Sequence, residues 1–432
     1  MATKNKFLMV AMYACPGFLA LLLGAAYPAA SQQYHRLLPD SRRGRKVKKQ
    51  KPPVVRNIYR RKVLNAHPLR MFYYYDDFRG FESLQTHGPG ITVLAPQCFA
   101  VDGNGAVHGS IPARVMAAAK AARLPIMPLL FNQGFDRAAV SALLHSVAAQ
   151  QRAVRAMAEL ADRDDDVGFQ IDLENMASAD HHLFTLFVKR ASSRLHQNGR
   201  LLSVAVTPQF SAAKAVHQPH WKTTHDERSG PYECRALGHY ADLITLMTYD
   251  HSSRNGPPGP IAGYAWVKLA VHYAIRRVPS SKLLLGLPLY GREWTTGGAS
   301  WESRSLTSGA VGALIERPEV HVQWDARWRS PWFEYNDGVA QRTVWYEDSR
   351  SLKEKLSLMQ QYGLRGFAAW RLGDEGPEFW PLIAASRKDQ GRGSLRHRPP
   401  SVAVKQRSKI ESHPNGNSAS EARTGGRSGL IR

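Results

Sequence analysis

The sequence predicts a (β/α)8 barrel with a small insertion subdomain between strands 7 and 8. Eight short apolar runs follow one another between residues 71 and 370, and helix-like segments lie between most of them. Short, fully apolar runs are typical of parallel strands that are buried on both faces, and their alternation with helices is typical of a barrel. An open, doubly wound sheet is the alternative fold, but no glycine-rich phosphate-binding fingerprint follows the first run.

The predicted strands share aliphatic and aromatic composition and a length of five to seven residues. They are Met71–Tyr75, Ile91–Ala95, Ile126–Phe131, Gly168–Leu173, Leu201–Thr207, Leu243–Met247, Leu283–Leu289 and Gly366–Trp370. Helical periodicity between them predicts helices at Arg137–Ala161, Ala179–His196, Ala265–Arg277 and Ser349–Tyr362. The domain formed by these elements is expected to cover residues 70–385.

Residues 290–346 are too many for a single loop between the seventh and eighth strands. This segment is rich in tryptophan: it contains Trp294, Trp301, Trp324, Trp328, Trp332 and Trp345. We therefore expect a small inserted subdomain at about 291–346, beside the mouth of the barrel.

The N-terminus has the pattern of an export signal. Lys4 and Lys6 precede an apolar stretch that runs from Phe7 to Tyr27 and is followed by small residues. This pattern predicts a signal peptide at 1–31, or an uncleaved N-terminal anchor, because the stretch is about 20 residues long. We expect the protein to be secreted, periplasmic or held in the cell envelope.

Positive charge is concentrated in two arms. The chain holds 58 Lys and Arg against 35 Asp and Glu, but residues 71–385 carry a net charge of only +1. The arms at 32–69 and 386–432 have too little apolar surface to offset chain entropy, so we expect both to be disordered. They are either solubilising tails or adhesive segments for an anionic envelope polymer or lipid. A nucleic-acid enzyme normally carries its basic surface on the folded domain, so no specific nucleic-acid partner is expected.

The cysteines predict neither a disulfide framework nor a zinc site. Cys15 lies in the leading apolar stretch, which leaves Cys98 and Cys234 in the body. Those two either pair in an oxidising compartment or are buried thiols. No residue pattern predicts a metal or a cofactor, and we expect a monomer.

The fourth predicted strand ends in two carboxylates that share one face. Gln170, Asp172 and Glu174 alternate with apolar residues, so they point into the barrel while their neighbours point to the helices. In a barrel, chemistry lies where strands end. Two carboxylates roughly 6–7 Å apart along a strand do not both ionise freely, so the pKa of one is raised and it can act as an acid near neutral pH.

At these positions the sequence resembles glycoside hydrolase family 18, the chitinase-like barrels, and most closely its bacterial spore-wall and cell-wall branch. The family's fourth strand reads D-G-x-D-x-D-x-E, and Gly168, Asp172 and Glu174 stand at its G, last D and E. Three further motifs of the family have similar counterparts in the same order: Met247-Thr248-Tyr249-Asp250, Leu285-Gly286-Leu287-Pro288-Leu289-Tyr290-Gly291 and Gly366-Phe367-Ala368-Ala369-Trp370.

The resemblance implies retaining hydrolysis of β-linked N-acetylglucosamine glycans, such as peptidoglycan or chitin oligomers, assisted by the substrate. Glu174 would protonate the glycosidic oxygen, and the acetamide group of the sugar would attack the anomeric carbon. Asp172 would accept the acetamide N–H, and Tyr249 would donate to the acetamide oxygen. Trp370 would stack under the sugar ring. The other residues expected to bind substrate are Asp250, Met247, Gln170, Asn132, Tyr290 and Tyr73.

Two positions depart from the family pattern. Val167 stands where the family has its first Asp, and Gln170 stands where it has its middle Asp. An amide donates a hydrogen bond but takes up no charge, so this change is expected to lower the rate or shift the pH optimum. It also leaves open a glycan-binding barrel that has lost turnover. A third hypothesis is an adhesin whose arms bind an anionic surface.

Overall fold

Eight parallel strands form a closed barrel, as the sequence predicts. In the computed structural model the described residues are 55–210, 230–296 and 301–385, and all of them belong to one compact unit. Each predicted barrel strand is present, and pairing of the first strand with both the second and the last closes the barrel.

The strands of the described ranges form the barrel sheet and a smaller antiparallel sheet. In chain order they are β1 Leu69–Tyr74, β2 Val93–Val101, β3 Val107–Gly109, β4 Leu129–Phe131, β5 Gly168–Asp172, β6 Leu201–Val206, β7 Leu243–Leu246, β8 Leu283–Pro288, β9 Tyr290–Thr296, β10 Glu302–Thr307, β11 Gln323–Asp325, β12 Ser330–Asn336, β13 Gln341–Trp345 and β14 Gly366–Trp370. The barrel order is β1-β14-β8-β7-β6-β5-β4-β2, and β3 adds an antiparallel edge to β2.

Helices cover the outside of the barrel. They are α1 Val55–Asn65, α2 Phe78–His87, α3 Ala113–Ala121, α4 Arg137–His145, α5 Val147–Asp164, α6 His181–Gln197, α7 Cys234–Tyr240, α8 Tyr264–Ala274, α9 Ser308–Ile315 and α10 Ser349–Gln361. The single helix predicted from Arg137 to Ala161 is wrong. Ser146 has extended backbone and its hydroxyl accepts from the Ala149 N–H, so it ends α4 and caps α5.

Side chains of β5 alternate between two cores, as the period of a strand requires. Phe169 and Ile171 lie in the large core between the sheet and the helices, whereas Gln170 points into the barrel. Gly168 starts the strand, and a Cβ there would lie 1.9 Å from the Leu201 carbonyl oxygen. The neighbouring backbone therefore approaches more closely than any side chain permits.

The inserted subdomain lies between barrel strands 7 and 8, as predicted. It contains β9 to β13 in the antiparallel order β10-β9-β13-β12-β11, and α9 packs on it. Its own core includes Leu306, Val311, Phe333 and Val344. The subdomain therefore has a hydrophobic core separate from that of the barrel.

The predicted disordered arm at 32–69 is wrong in its described part. Helix α1 forms there, and Val63 is 1% exposed in the cluster of side chains that fills the barrel interior. Arg365 donates to the carbonyl oxygens of Val63 and Leu64, which ends the helix against the strand layer. The run of basic residues dominates the local sequence, but Val63, with Tyr59 packed against the same cluster, closes the end of the barrel where the strands begin.

Other sequence predictions concern residues outside the described ranges. The segments 1–31 and 386–432 lie there, as does most of the predicted N-terminal arm. Within the described ranges no helix is both long and apolar enough to cross a membrane. Cys98 and Cys234 are both free thiols, which favours the second of the two alternatives for this pair.

The role of Val63 as a closing side chain gives a test of the corrected boundary. Val63→Ala removes two buried methyl groups and should lower the free energy of unfolding by about 1.5 kcal/mol. Leu64→Ala is the matched control, since Leu64 is 42% exposed, and should change it by less than about 0.5 kcal/mol. Urea denaturation of both variants measures the difference. Equal effects would contradict the placement of Val63.

Candidate active site

The predicted carboxylates lie at the ends of barrel strands. Asp172 is the last residue of β5 and is 7% exposed, while Glu174 follows two residues later and is half-buried. β4 ends beside this strand, with Phe131 opposite Asp172. Both acids therefore stand at the carboxyl end of the barrel, the end that carries catalytic groups in this architecture.

Burial controls the ionisation of Asp172. It raises the pKa of this carboxyl from its ordinary value of 3.8 to about 7. One carboxyl oxygen, Oδ1, is buried without a hydrogen-bond partner among the described residues. The raised pKa that the sequence predicts for one member of the pair is therefore found on Asp172. A buried acceptor without a partner is suited to receive an N–H from a ligand.

Gln170 occupies the barrel interior below Asp172. It is fully buried, and its side-chain amide donates to the Ser203 hydroxyl at 2.9 Å and to the Thr245 hydroxyl at 3.0 Å. Sequence reasoning places Gln170 among the substrate-binding residues, but the structure places it inside the barrel. Its hydrogen bonds form a neutral network in the barrel interior, two residues before Asp172 on the same strand.

Three aromatic side chains line the site above this network. The ring of Trp370 lies 5.2 Å from that of Tyr73 and 6.5 Å from that of Tyr249, measured between centroids. Burial, followed by the charges of neighbouring groups including Asp172, raises the pKa of Tyr249 well above its ordinary value. The Tyr249 hydroxyl therefore keeps its proton at neutral pH and can donate it in a hydrogen bond. Burial likewise raises the pKa of the enclosed Tyr73 hydroxyl.

A glycine makes room for Tyr249. A Cβ on Gly286 would lie 3.0 Å from the Tyr249 ring and 2.4 Å from the Leu246 carbonyl oxygen. The carbonyl oxygen of Gly286 also accepts a hydrogen bond from the Thr248 hydroxyl at 2.7 Å. Gly286, in the seventh-strand motif, thus determines the position of Thr248 and Tyr249 in the sixth-strand motif.

Asp250 is held by two partners from the inserted subdomain. The Tyr290 hydroxyl donates to its carboxylate at 2.5 Å, and the Arg292 guanidinium does so at 2.6 Å. Asp250 has a positive φ of 55°, so the loop turns sharply after the strand. Met247, at the start of the same motif, is buried. The structure therefore gathers these predicted residues beside the aromatic group, and Arg292 is an addition that sequence reasoning missed.

Asn132 holds the segment that carries Glu174 and does not line the cleft. It is 1% exposed; its amide oxygen accepts the Glu174 N–H at 2.9 Å, and its amide nitrogen donates to the Glu174 carbonyl at 3.0 Å. The prediction that Asn132 is a wall group for substrate is corrected by this geometry. Both polar atoms of its side chain are used to position the backbone of Glu174.

Asn175 and Arg137 extend this hold, and sequence reasoning missed both. Arg137 donates to the Asn175 carbonyl at 3.1 Å and to its side-chain oxygen at 3.0 Å. The Asn175 side chain in turn donates to the Phe135 carbonyl at 2.9 Å. Asn175 has a positive φ of 58°, and an asparagine directly after the acid was the available signal, because Asn adopts this conformation more readily than most residues.

Tryptophans of the inserted subdomain continue the aromatic wall. Trp294 and Trp345 are buried in one cluster with Tyr290, and Trp328, Trp332, Tyr249 and Trp370 pack against it. The rings of Trp332 and Trp345 stack at 5.6 Å. Sequence reasoning located these tryptophans without giving them a role. The cluster joins the inserted subdomain to the cleft of the barrel.

This fold and this group of residues define a (β/α)8 glycosidase. A family model described as "Glycosyl hydrolases family 18" matches residues 116–375. The chain belongs to that family.

Similar proteins agree with this assignment. An uncharacterized glycosylase, YvbX of Bacillus subtilis, is 24% identical over 341 residues, which are 78% of this chain and 96% of that protein. The cortical fragment-lytic enzyme of the same organism is 29% identical over 263 residues, or 60% of this chain, and the match spans only 58% of its length. Among solved structures, a chitinase from Chromobacterium violaceum superposes with a TM-score of 0.67 at 29% identity, covering 74% of this chain and 98% of that one.

Burial of Asp172 predicts a pH-dependent cost to stability. The folded chain keeps this carboxyl protonated up to about pH 7, whereas its ordinary pKa of 3.8 leaves it ionised in the unfolded chain well below that. The folded state therefore binds more protons in this interval, and the free energy of unfolding falls as the pH rises from about 4 to about 7. Asp172→Asn should remove this slope and be more stable than the parent above about pH 7.

Urea denaturation at about pH 4.5 and about pH 7.5 measures this effect. Asp136→Asn is the control, because Asp136 is an exposed N-cap and Asn caps a helix equally well. If Asp172→Asn follows the same pH dependence as the parent, the raised pKa is wrong.

The hold on Asn175 predicts a selective loss of turnover. Arg137→Met removes both hydrogen bonds to Asn175, so the segment that carries Glu174 becomes less well positioned and kcat should fall about tenfold. KM should change little, because Trp370 and Tyr249 are untouched. Arg152→Met is the control, since Arg152 is exposed and also donates to a loop carbonyl, that of Asn104. Equal kcat values for the two variants would contradict a positioning role for Arg137.

Proposed function

We propose that this chain hydrolyses β-linked N-acetylglucosamine glycans with retention of configuration and with assistance from the substrate's own acetamide group. The observation that carries this proposal is the buried Asp172 beside Glu174, with Tyr249 and Trp370 on the same cleft. A chitinase among the structural neighbours and a cortical fragment-lytic enzyme among the relatives support this class of substrate.

In the first step Glu174 donates its proton to the glycosidic oxygen, and the bond from that oxygen to the anomeric carbon breaks. The acetamide oxygen of the same sugar forms a new bond to that carbon, giving a cyclic oxazolinium ion and a released alcohol. Asp172 accepts the acetamide N–H, which aligns the group, and the ionised form of Asp172 stabilises the positive charge of the oxazolinium ion. The Tyr249 hydroxyl donates to the acetamide oxygen and fixes its direction.

In the second step water attacks the anomeric carbon from the face that the leaving group vacated. Glu174, now a carboxylate, takes the proton of this water, and the bond to the acetamide oxygen breaks. Two inversions give net retention and restore Glu174 to its acid form. The half-buried face of Trp370 provides an apolar floor for the C–H face of the sugar.

A glycan-binding barrel without turnover is the second candidate, and Gln170 favours it. The family's middle Asp can share a proton with the next Asp, whereas the amide of Gln170 is fixed by Ser203 and Thr245 and takes no charge. We favour hydrolysis because the carboxyls of Glu174 and Asp172 and the Tyr249 phenol lie at the same end of the barrel, which supports the three roles proposed for them.

The test is digestion of an N-acetylglucosamine oligomer, chitin and peptidoglycan, with mass analysis of the products. The wild-type chain should release products, and Glu174→Gln should lower kcat by at least about 100-fold because general acid catalysis is lost. Glu378→Gln is the control, since Glu378 is exposed, and should keep wild-type activity. Binding of the oligomer without turnover by both wild-type and Glu174→Gln proteins would favour the binding barrel and sink the proposed hydrolysis.

A further inference from the structure

Charge within the folded domain is unevenly distributed. Residues 181–282 hold 13 Lys and Arg against five Asp and Glu, whereas the rest of 71–385 holds 19 against 26. The net charge of the domain is therefore near zero because a strongly basic third offsets an acidic remainder. The prediction that positive charge belongs to the arms alone is incomplete.

The basic third includes three helices of the outer wall that follow one another within the described ranges, α6, α7 and α8. Lys189 of α6 lies 5.7 Å from the centroid of the Tyr240 ring at the end of α7. Just after α8, the Arg277 guanidinium stacks 3.5 Å from the Tyr273 ring. The three helices thus present cations and tyrosine rings side by side, and we call this surface the basic face.

Two grooves on the basic face combine charged and neutral hydrogen-bonding groups. One, of about 410 Å³, is lined by Lys189, Arg190, Ser193, Arg194 and Gln197. The other, of about 660 Å³, is lined by residues that include Glu233, Arg235, His239, Tyr240, Tyr273 and Arg277. Each groove therefore offers cations and neutral polar groups together.

Three cations of the basic face form no ion pair within the described residues: Lys189, Arg235 and Arg277. On the same face the His181 ring nitrogen lies 3.8 Å from a Glu233 carboxylate oxygen. Elsewhere on the surface, Arg114 pairs with Asp76 at 2.6 Å and Arg342 with Asp337 at 2.7 Å. Cations grouped without counter-charges repel one another, so an anionic partner gains their full attraction.

We propose that the basic face binds a carboxylate-bearing polysaccharide, at a surface separate from the catalytic cleft. Lysine and arginine pair with carboxylates, and Ser193, Gln197 and His239 suit sugar hydroxyl groups. The tyrosine rings suit the C–H faces of sugars. Glu233, within the second groove, accepts hydroxyl donors and lowers the positive charge of the groove, which suits a sparsely charged carboxylate chain better than a densely phosphorylated one. This binding would hold the enzyme on envelope material, independently of whether the cleft turns over substrate.

Other occupants fit less well. The chain's own arms are strongly basic, so they are repelled from this surface. A membrane-binding face normally inserts apolar side chains, and Leu269 is the one exposed large apolar residue of the described part of α6, α7 and α8. Charge complementarity with a hydroxyl-rich polyanion therefore accounts best for the groups present.

The test uses the full chain and polygalacturonate as the probe, with neutral dextran as a second ligand. The triple variant Lys189→Gln, Arg235→Gln, Arg277→Gln removes three charges from the basic face. The control triple Arg123→Gln, Arg155→Gln, Lys353→Gln removes three exposed charges elsewhere. Because both triples keep the arms and have equal net charge, a difference between them isolates the basic face.

We expect salt-sensitive binding of polygalacturonate by the wild-type chain, weakened about tenfold in the first triple and by less than about twofold in the control. Dextran should bind to none of them, and thermal unfolding should confirm that both triples fold. Equal losses in the two triples, or no binding by the wild type, would overturn the proposal. So would a larger loss for duplex DNA or for phosphatidylglycerol vesicles than for polygalacturonate.

Discussion

Removal of Asp172 from water is the constraint on which the site depends. Closing eight parallel strands surrounds this carboxyl with Tyr73, Tyr249 and the interior amide of Gln170, and the resulting desolvation favours its neutral form. A buried carboxyl with an unpartnered oxygen destabilises the fold. An acetamide N–H would donate a hydrogen bond to this same oxygen. A bound ligand would therefore supply the hydrogen bond that the carboxyl lacks in the fold alone.

Hydrogen bonds from neighbouring loops fix the segment after β5, which carries Glu174, beside this buried acceptor. Glu174 lies on a loop, two residues after Asp172, which ends β5. Asn132 binds the backbone of Glu174 with two hydrogen bonds across 42 positions of sequence, and Asn175 with Arg137 adds a second layer. In the proposed mechanism Glu174 must reach one oxygen atom of a substrate, and such support serves this role because small displacements of a catalytic group reduce rates steeply.

The strand pattern and the carboxylates were predictable because they follow from local periodicity. Parallel strands buried on both faces read as short apolar runs, and a period of two places Gln170 and Asp172 on one face of β5. The role of Asn132 was not predictable, because it depends on how two loops meet after folding. Helix α1 was missed because its packing depends on few apolar residues, chiefly Val63 with Tyr59, among many basic ones. The break at Ser146 was missed because the helices on either side have the same apolar periodicity.

The departures from the family motif have different physical meanings. Val167 lies in the interior cluster with Leu129 and Leu201, at the end of the barrel where strands begin, so a charge there would be buried far from the cleft. Gln170 lies two residues before Asp172 on the same face of β5. Because an amide takes no proton at this position, Asp172 has no carboxylate there with which to share one.

The basic face does not set the pKa of Asp172. Burial is the cause of the rise in this pKa, and Lys189 and Arg235 of the basic face are exposed to solvent. Charges on α6 to α8 can therefore change attachment to a polyanion while the pKa of Asp172 stays under the control of burial. The barrel thus separates the surface that retains the enzyme from the chemistry at its strand ends.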